Sequence, residues 1–272
     1  MFDFHGMAIT YSHAGAGEPI LFLHNIGGER SIWSAQYEAL QATNRVYALD
    51  LFGYGGSAIP DDGYTIERYL ELVSEFIDVH SLRNVTLVGH CFGSALSLLY
   101  ARRHPQNVRA LVLSSPLTAA TLRPTPTGWM AAAAKHVPFD SLFGKTRLPA
   151  PVAAWIVREQ LGPRGRNMAP ATFAPLRHRW AEPRRLLPAA AVARDLPRLA
   201  ELDDFRPPAS FPPITTIWGM KNRILSPAAG ERLNATLRPI RAVTLPDCGH
   251  LLMMEEPDTV TATLRTALDP HA

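Results

Sequence analysis

Only two cysteines, Cys91 and Cys248, occur among 272 residues. A disulfide framework is therefore not expected, and a reducing, cytoplasmic setting is. No apolar run approaches the ~20 residues that a bilayer-spanning helix needs, so no membrane association is expected. The stretch Met1–Tyr11 has neither a basic flank nor an apolar core, so no export signal is expected there. H-E-x-x-H and C-x-x-C spacings are both missing and the histidines are scattered, which points to no metal and no organic cofactor. A formal net charge of +3 is too small to argue for nucleic acid, and no nucleic-acid motif accompanies it. Internal repeats and low-complexity tails are missing as well.

What is present is alternation. Apolar β-like runs at Ala8–His13, Ile20–His24, Val46–Leu51, Val85–Gly89 and Arg109–Ser114 are separated by helical patterns, as in βαβ units. Ile20–Leu23, Val85–Val88 and Ala110–Leu113 are apolar without a break, as strands covered on both faces should be. Helices are expected where Ile66, Tyr69, Leu70, Val73, Phe76 and Ile77 recur at helical spacing, and over Phe92–Arg103. From Leu117 to Pro213 the texture changes to Ala, Arg and Pro, with 15 of the chain's 24 prolines. Short helices are expected there at Gly128–Lys135, Pro151–Gln160 and Ala189–Leu202, each stopped by proline. Alternation then resumes with strands Ile214–Trp218 and Arg241–Leu245 and helices Ala228–Leu237 and Asp258–Ala267. The reading is an α/β fold with a mostly parallel sheet of about eight strands flanked by helices. Its core comprises residues 1–116 and 214–272, and residues 117–213 form an inserted helical lid.

Gly89-His90-Cys91-Phe92-Gly93 lies where a strand gives way to a helix. A nucleophile on so sharp a turn needs small neighbours two residues to either side, and the glycines supply them. The helix N-terminus behind Cys91 offers N–H groups and the positive end of a dipole, which lower a thiol's pKa and stabilise an oxyanion. A cysteine is more often a small buried hydrophobe, so the pentapeptide needs support from elsewhere. Leu23-His24-Asn25-Ile26-Gly27-Gly28 ends an early strand and resembles an H-G-x-x-G oxyanion loop. There the N–H groups of Ile26 and Phe92 would face a substrate carbonyl, and Asn25 stands where Gly is usual, a residue tolerant of positive φ. Asp50-Leu51-Phe52-Gly53-Tyr54-Gly55-Gly56-Ser57 resembles a structural D-x-x-G-x-G-x-S turn. Asp247-Cys248-Gly249-His250 follows the last strand and precedes Glu255-Glu256-Pro257.

In this order the motifs resemble the α/β-hydrolase superfamily over nearly the whole chain, from Ile20 to Pro257. The resemblance implies Cys91 as nucleophile and His250 as its base. The family's third member is commonly an Asp in W-G-x-x-D-x. Here the segment is Trp218-Gly219-Met220-Lys221-Asn222-Arg223, so Asn222 takes that place, and the other acid position reads Ser114-Ser115-Pro116. The two departures fit each other. A resting thiolate–imidazolium pair needs no carboxylate, only an amide oxygen to accept from the imidazole N–H, as in the Cys-His-Asn set of papain-like proteases. Cys248 lacks an elbow, and packing suits it better. Asn25 and His90, beside the loop and the nucleophile, are expected substrate contacts. So are Trp129 and Trp155 of the lid, with Trp180 a further candidate.

A thiolate suits thioester donors, because two sulfurs leave a tetrahedral intermediate comparably well, whereas an oxoester expels the thiolate backwards. Between Leu117 and Pro213 basic side chains are roughly twice as numerous as acidic ones, a surface that would attract a coenzyme A phosphate or an acidic carrier protein; a solvated arginine-rich face is the plainer explanation. Cysteine at the elbow resembles the carrier-protein acyl- and aminoacyltransferases and thioesterases of nonribosomal peptide and polyketide biosynthesis. It also resembles the dienelactone hydrolases, from which Asn222 and the long insertion depart. Acyl transfer or thioester hydrolysis through acyl-Cys91 is the leading expectation. A Cys-dependent hydrolase of a small ester, lactone or C–C bond comes second, and a non-catalytic ligand receptor of the same fold is the alternative of another class.

Overall fold

The computed structural model describes residues 1–122, 124–126, 129 and 146–269. Its main sheet has seven strands: β3 (Tyr11–Ala14), β4 (Pro19–Leu23), β5 (Arg45–Leu49), β6 (Val85–His90), β7 (Val108–Ser114), β8 (Ile214–Gly219) and β9 (Arg241–Leu245). They lie in the order β3-β5-β4-β6-β7-β8-β9, all parallel except β3, which runs against β5. A separate hairpin pairs β1 (Phe2–Phe4) with β2 (Met7–Ile9). The main sheet is thus one strand short of the expected eight, and the single expected strand Ala8–His13 is two. Thr10 divides it. Its carbonyl accepts from the Asp50 N–H and its own N–H donates to Ser57 Oγ, so its backbone belongs to the Asp50–Ser57 turn and not to either strand.

Alternation along each strand sorts the core into two layers. Leu21, Leu23, Leu87, Leu111 and Leu113 join one buried cluster, while Ile20, Phe22, Val88, Val112 and Ile217 join the other. Helix α1 (Ser34–Leu40) crosses from β4 towards β5. Helix α2 (Ile66–Val79) buries Ile66, Tyr69, Leu70, Leu72, Val73, Phe76 and Ile77, and Thr65 caps it by accepting from the Arg68 N–H. Helix α3 (Phe92–Arg103) is buried along most of its length. After β4 the chain first adds β5 on one side and later β6 on the other. The loops leaving the carboxyl ends of β4 and β6 therefore diverge at a topological switch point, where open α/β sheets bind ligands.

Between β7 and β8 the described residues form helices Ala119–Leu122, Ala150–Gln160, Pro163–Arg166, Ala174–Trp180 and Leu186–Asp195, then a 3₁₀ stretch Leu196–Leu202. The expected helix Ala189–Leu202 tightens at Leu196 because Pro197 has no N–H to continue the α pattern. The expected helix Gly128–Lys135 lies outside the described residues apart from Trp129. Leu187, Val192, Leu199 and Leu202 reach one core layer, and Val157, Phe173, Leu176 and Trp180 reach the other. No helix among the described residues is long and apolar enough to cross a membrane.

Candidate active site

Cys91 sits at φ 52°, ψ −108°, in the left-handed half of backbone space that a residue with a side chain occupies only when its surroundings hold it there. The hold is visible. The Cys91 N–H donates to the Ser114 carbonyl at 2.9 Å, and the Cys91 carbonyl accepts from Ala95 and Leu117. A Cβ on Gly89 would lie 2.4 Å from the Gly93 backbone, and one on Gly93 would lie 2.2 Å from the Leu23 carbonyl oxygen. Only glycine lets the elbow press against both its own helix and the end of β4.

That contact ties the nucleophile to the loop after β4, since the Gly93 N–H donates to the His24 carbonyl at 3.1 Å. His24 is buried, holds the Asn25 carbonyl through Nδ1 at 2.7 Å and accepts from the Leu51 N–H through Nε2 at 3.0 Å. It is neutral, burial having lowered its pKa. The loop so fixed brings the Ile26 N–H, together with that of Phe92, to the Cys91 sulfur. The residues expected to serve as oxyanion donors and as nucleophile therefore lie together. The positive φ in this loop falls at Gly27, at 77°, and not at Asn25. The Asn25 side chain folds back instead: Nδ2 donates to the Ile26 carbonyl at 3.0 Å, and Oδ1 lies where a Cβ on Gly28 would be. Asn25 is thus a buried brace of the loop, where substrate contact was expected.

His250 lies across the sheet's edge with Asn222, and here the wiring differs from expectation. Asn222 Oδ1 accepts from the N–H groups of Ile224 at 2.9 Å and Leu225 at 3.0 Å. Its Nδ2 then faces His250 Nδ1 at 3.0 Å and Ser115 Oγ at 3.2 Å. The amide donates to the ring, where an accepting oxygen was expected. Two backbone donors on Oδ1 decide the orientation, because a turned amide would point its own hydrogens at them. A neutral His250 that accepts at Nδ1 carries its proton on Nε2.

Burial sets the charges. It lowers His250 well below the usual imidazole range, with the neighbouring His90 ring, 4.4 Å away between centroids, adding to the effect. His90 itself is pushed down to about 3, chiefly by burial. Its Nδ1 bonds to Ser114 at 3.2 Å while its Nε2 has no partner. Fully buried behind His250, it supports the ring, where a substrate contact was expected. Burial also pushes the Cys91 thiol up to about 12, against the two N–H groups that pull it down. Burial thus opposes the expected resting thiolate and favours the neutral thiol, and among the described residues the thiol is not hydrogen-bonded to His250. Cys248 is buried and bonds to Glu256, consistent with packing.

Three contributors escaped the sequence reading. Ser115, at φ 41°, presents the oxygen that takes Asn222's second hydrogen. Glu255, quoted only as a landmark, is a buried clamp: Oε1 accepts from Gly249, and Oε2 from Gly162 at 2.9 Å and Gly165 at 3.0 Å in the inserted segment. The same segment supplies the Gln160 carbonyl, which accepts from the His250 N–H at 2.6 Å. A buried acid two residues before a helix that opens on proline is a recognisable signal, but its partners lie some ninety residues upstream, at a range motif spacing does not cover. Trp129 and Trp155 are surface residues, 75% and 55% exposed, contrary to their expected place in a pocket. Trp180 is the tryptophan that packs on the site, its ring filling the space beside Gly27. Among the described residues no three His, Cys, Asp or Glu side chains converge as a metal-ligand set.

Comparison with known proteins agrees with this architecture. A haloalkane dehalogenase of Agrobacterium fabrum is 38% identical over 112 residues, 41% of this chain and 37% of that protein. The dihydrolipoyllysine-residue acetyltransferase component of the acetoin cleaving system of Pseudomonas putida is 28% identical over 94% of this chain and 64% of its own length. The chain thus spans less than two thirds of either relative. An alpha/beta hydrolase fold protein from Burkholderia ambifaria superposes with a TM-score of 0.82 at 21% identity, covering 97% of this chain and 95% of that one, a likeness of fold. The sequence pattern of the alpha/beta hydrolase family matches residues 20–263, and the chain belongs to that family.

Proposed function

We propose that the protein transfers an acyl group from a thioester donor, of coenzyme A or carrier-protein type, through an acyl-Cys91 intermediate, as an acyltransferase or thioesterase. The observation that carries this reading is the Cys91 sulfur at a strained elbow facing the N–H groups of Ile26 and Phe92. When the sulfur attacks, the carbonyl oxygen gains charge where those donors already point, so little reorganisation is needed. In acylation the bond from Sγ to the carbonyl carbon forms, the bond to the donor's sulfur breaks, and the proton lost by Cys91 is the one the departing thiol gains. Similarity to an acetyltransferase component over 94% of the chain supports the reaction class.

The partner reading loses part of its support. Arg179 pairs with Glu29 and Glu182, Arg185 with Glu182, Arg184 with Asp61, and Arg166 with Glu159. These four arginines are met within the chain, two of them by Glu29 and Asp61 outside the segment, which weakens the case for an acidic carrier docking on this lid. Incubation with a panel of acyl and aminoacyl thioesters, followed by intact mass, tests the reading. A mass gain on the native protein that Cys91→Ala lacks is the expected result, and no gain with any donor sinks it.

One observation favours a second reading, a non-catalytic ligand-binding protein. Among the described residues Cys91 and His250 are not hydrogen-bonded to each other, and burial drives both towards their neutral forms. Ligand affinity unchanged in Cys91→Ala, with no adduct on the native chain, would select it.

A further inference from the structure

We propose that Asn222 is a positioning residue that makes acyl-Cys91 resistant to water and directs its acyl group to a thiolate or an uncharged amine. This rests on the acyl-Cys91 reading. The side chain makes four contacts. Oδ1 is occupied by the N–H groups of Ile224 and Leu225, and Nδ2 by Ser115 Oγ and His250 Nδ1. Asn222 is buried, so no solvent replaces a partner that is lost. Turning the amide over would leave two buried backbone donors facing an NH₂ group. The His250 proton is thereby kept on Nε2, the nitrogen a Ser-His-Asp site leaves bare to take a proton from its nucleophile and later from water.

Hydrolysis of a thioester needs water to lose a proton as it attacks, and a ring already protonated at Nε2 cannot take it. A thiolate has no proton to lose. A neutral amine attacks unaided: the C–N bond forms, the C–Sγ bond breaks, and the proton the nitrogen sheds ends on Sγ. The His90 ring offers no substitute path to solvent, since its unpartnered Nε2 is fully buried behind His250 while Nδ1 is turned to Ser114. The acceptor class follows from this proton placement, with the charged or amine-bearing end supplied by the second substrate.

Asn222→Asp restores an acceptor. One carboxylate oxygen can keep the Ile224 and Leu225 donors while the other takes an Nδ1–H, which frees Nε2. The test loads native protein and Asn222→Asp from the same N-acetylcysteamine thioester, removes the donor, and follows the adduct by intact mass. The chases are plain buffer, N-acetylcysteamine and a primary amine. Expected is a native adduct that outlasts the variant's in buffer by about 100-fold, the usual scale of general-base help. Long-range ¹H–¹⁵N spectra of the His250 ring give a second readout: protonated Nε2 in the native chain and protonated Nδ1 in Asn222→Asp. Equal lifetimes in buffer, or a native ring protonated at Nδ1, overturn the proposal. A native chain that accepts no acyl group from any donor overturns the acyl-Cys91 reading beneath it, while the spectra still report the proton's place.

Discussion

The two halves of the site are built on different terms. On the nucleophile side, backbone presses on backbone: Gly89 against Gly93, Gly93 against Leu23, with the N–H groups of Ile26 and Phe92 turned to the sulfur. On the histidine side, side chains hold the geometry, with Asn222 between two backbone donors and the ring, and Glu255 between Gly249 and the inserted segment. The first half gathers backbone N–H donors around a sulfur. In the second the Asn222 amide donates to the ring, which leaves the proton of a neutral His250 on Nε2.

The comparison breaks most completely at the glycines. Gly93→Ala sets a methyl 2.2 Å from the Leu23 carbonyl oxygen, where no flexible side chain can yield. Loss of the adduct together with a fall in melting temperature is expected, and a variant that keeps both would show the elbow to be softer than drawn.

Acid comes next. His24, His90 and His250 are all lowered by burial, so an unfolded chain takes up protons near pH 6.5 that the folded chain refuses. Stability held above pH 6.5 is therefore lost as pH falls towards the folded values, by about 1.4 kcal/mol per pH unit for each histidine. Denaturant midpoints between pH 7 and 4 measure this, and a flat profile would mean that the rings are accessible.

On the histidine side, Glu255→Ala strips the acceptor from three buried N–H groups, at a cost of about 1–3 kcal/mol for each group left unpaired. Urea unfolding would read the loss, and a cost under about 1 kcal/mol would place the clamp outside the core of the fold. Iodoacetamide labelling sharpens the nucleophile side. With the thiol pushed up to about 12, alkylation of Cys91 should climb tenfold per pH unit from 7 to 10, and a plateau below pH 9 would reveal a thiolate. Trp155→Ala should be nearly silent, within about 0.5 kcal/mol, because its ring is exposed.

What was legible in the sequence follows the same divide. The elbow could be read because steric demands fall on neighbours in sequence: Gly89 and Gly93 lie two residues from Cys91 and leave no alternative. The strands could be read because burial on both faces writes unbroken apolar runs. The direction of Asn222's hydrogen bonds could not, because it is decided by the backbone N–H groups of Ile224 and Leu225, which every residue type but proline carries alike. The opposition of burial to a thiolate is illegible in the sequence for a related reason. A helix N-terminus is visible in the sequence, whereas the desolvation that outweighs it comes from packing. The exposed Trp129 and Trp155 show the reverse error, a large apolar residue taken for a pocket wall.

Gly162 and Gly249 meet back to back. A Cβ on either would lie within 2.5 Å of the other's nitrogen, and the Gln160 carbonyl and Asp247 carbonyl crowd the same spot. The joint between the inserted segment and the histidine loop is consequently a socket with no side chain to adjust. Anyone grafting a different segment between β7 and β8 inherits a fixed fitting: a glycine opposite Gly249, backbone donors for Glu255 and a carbonyl for the His250 N–H.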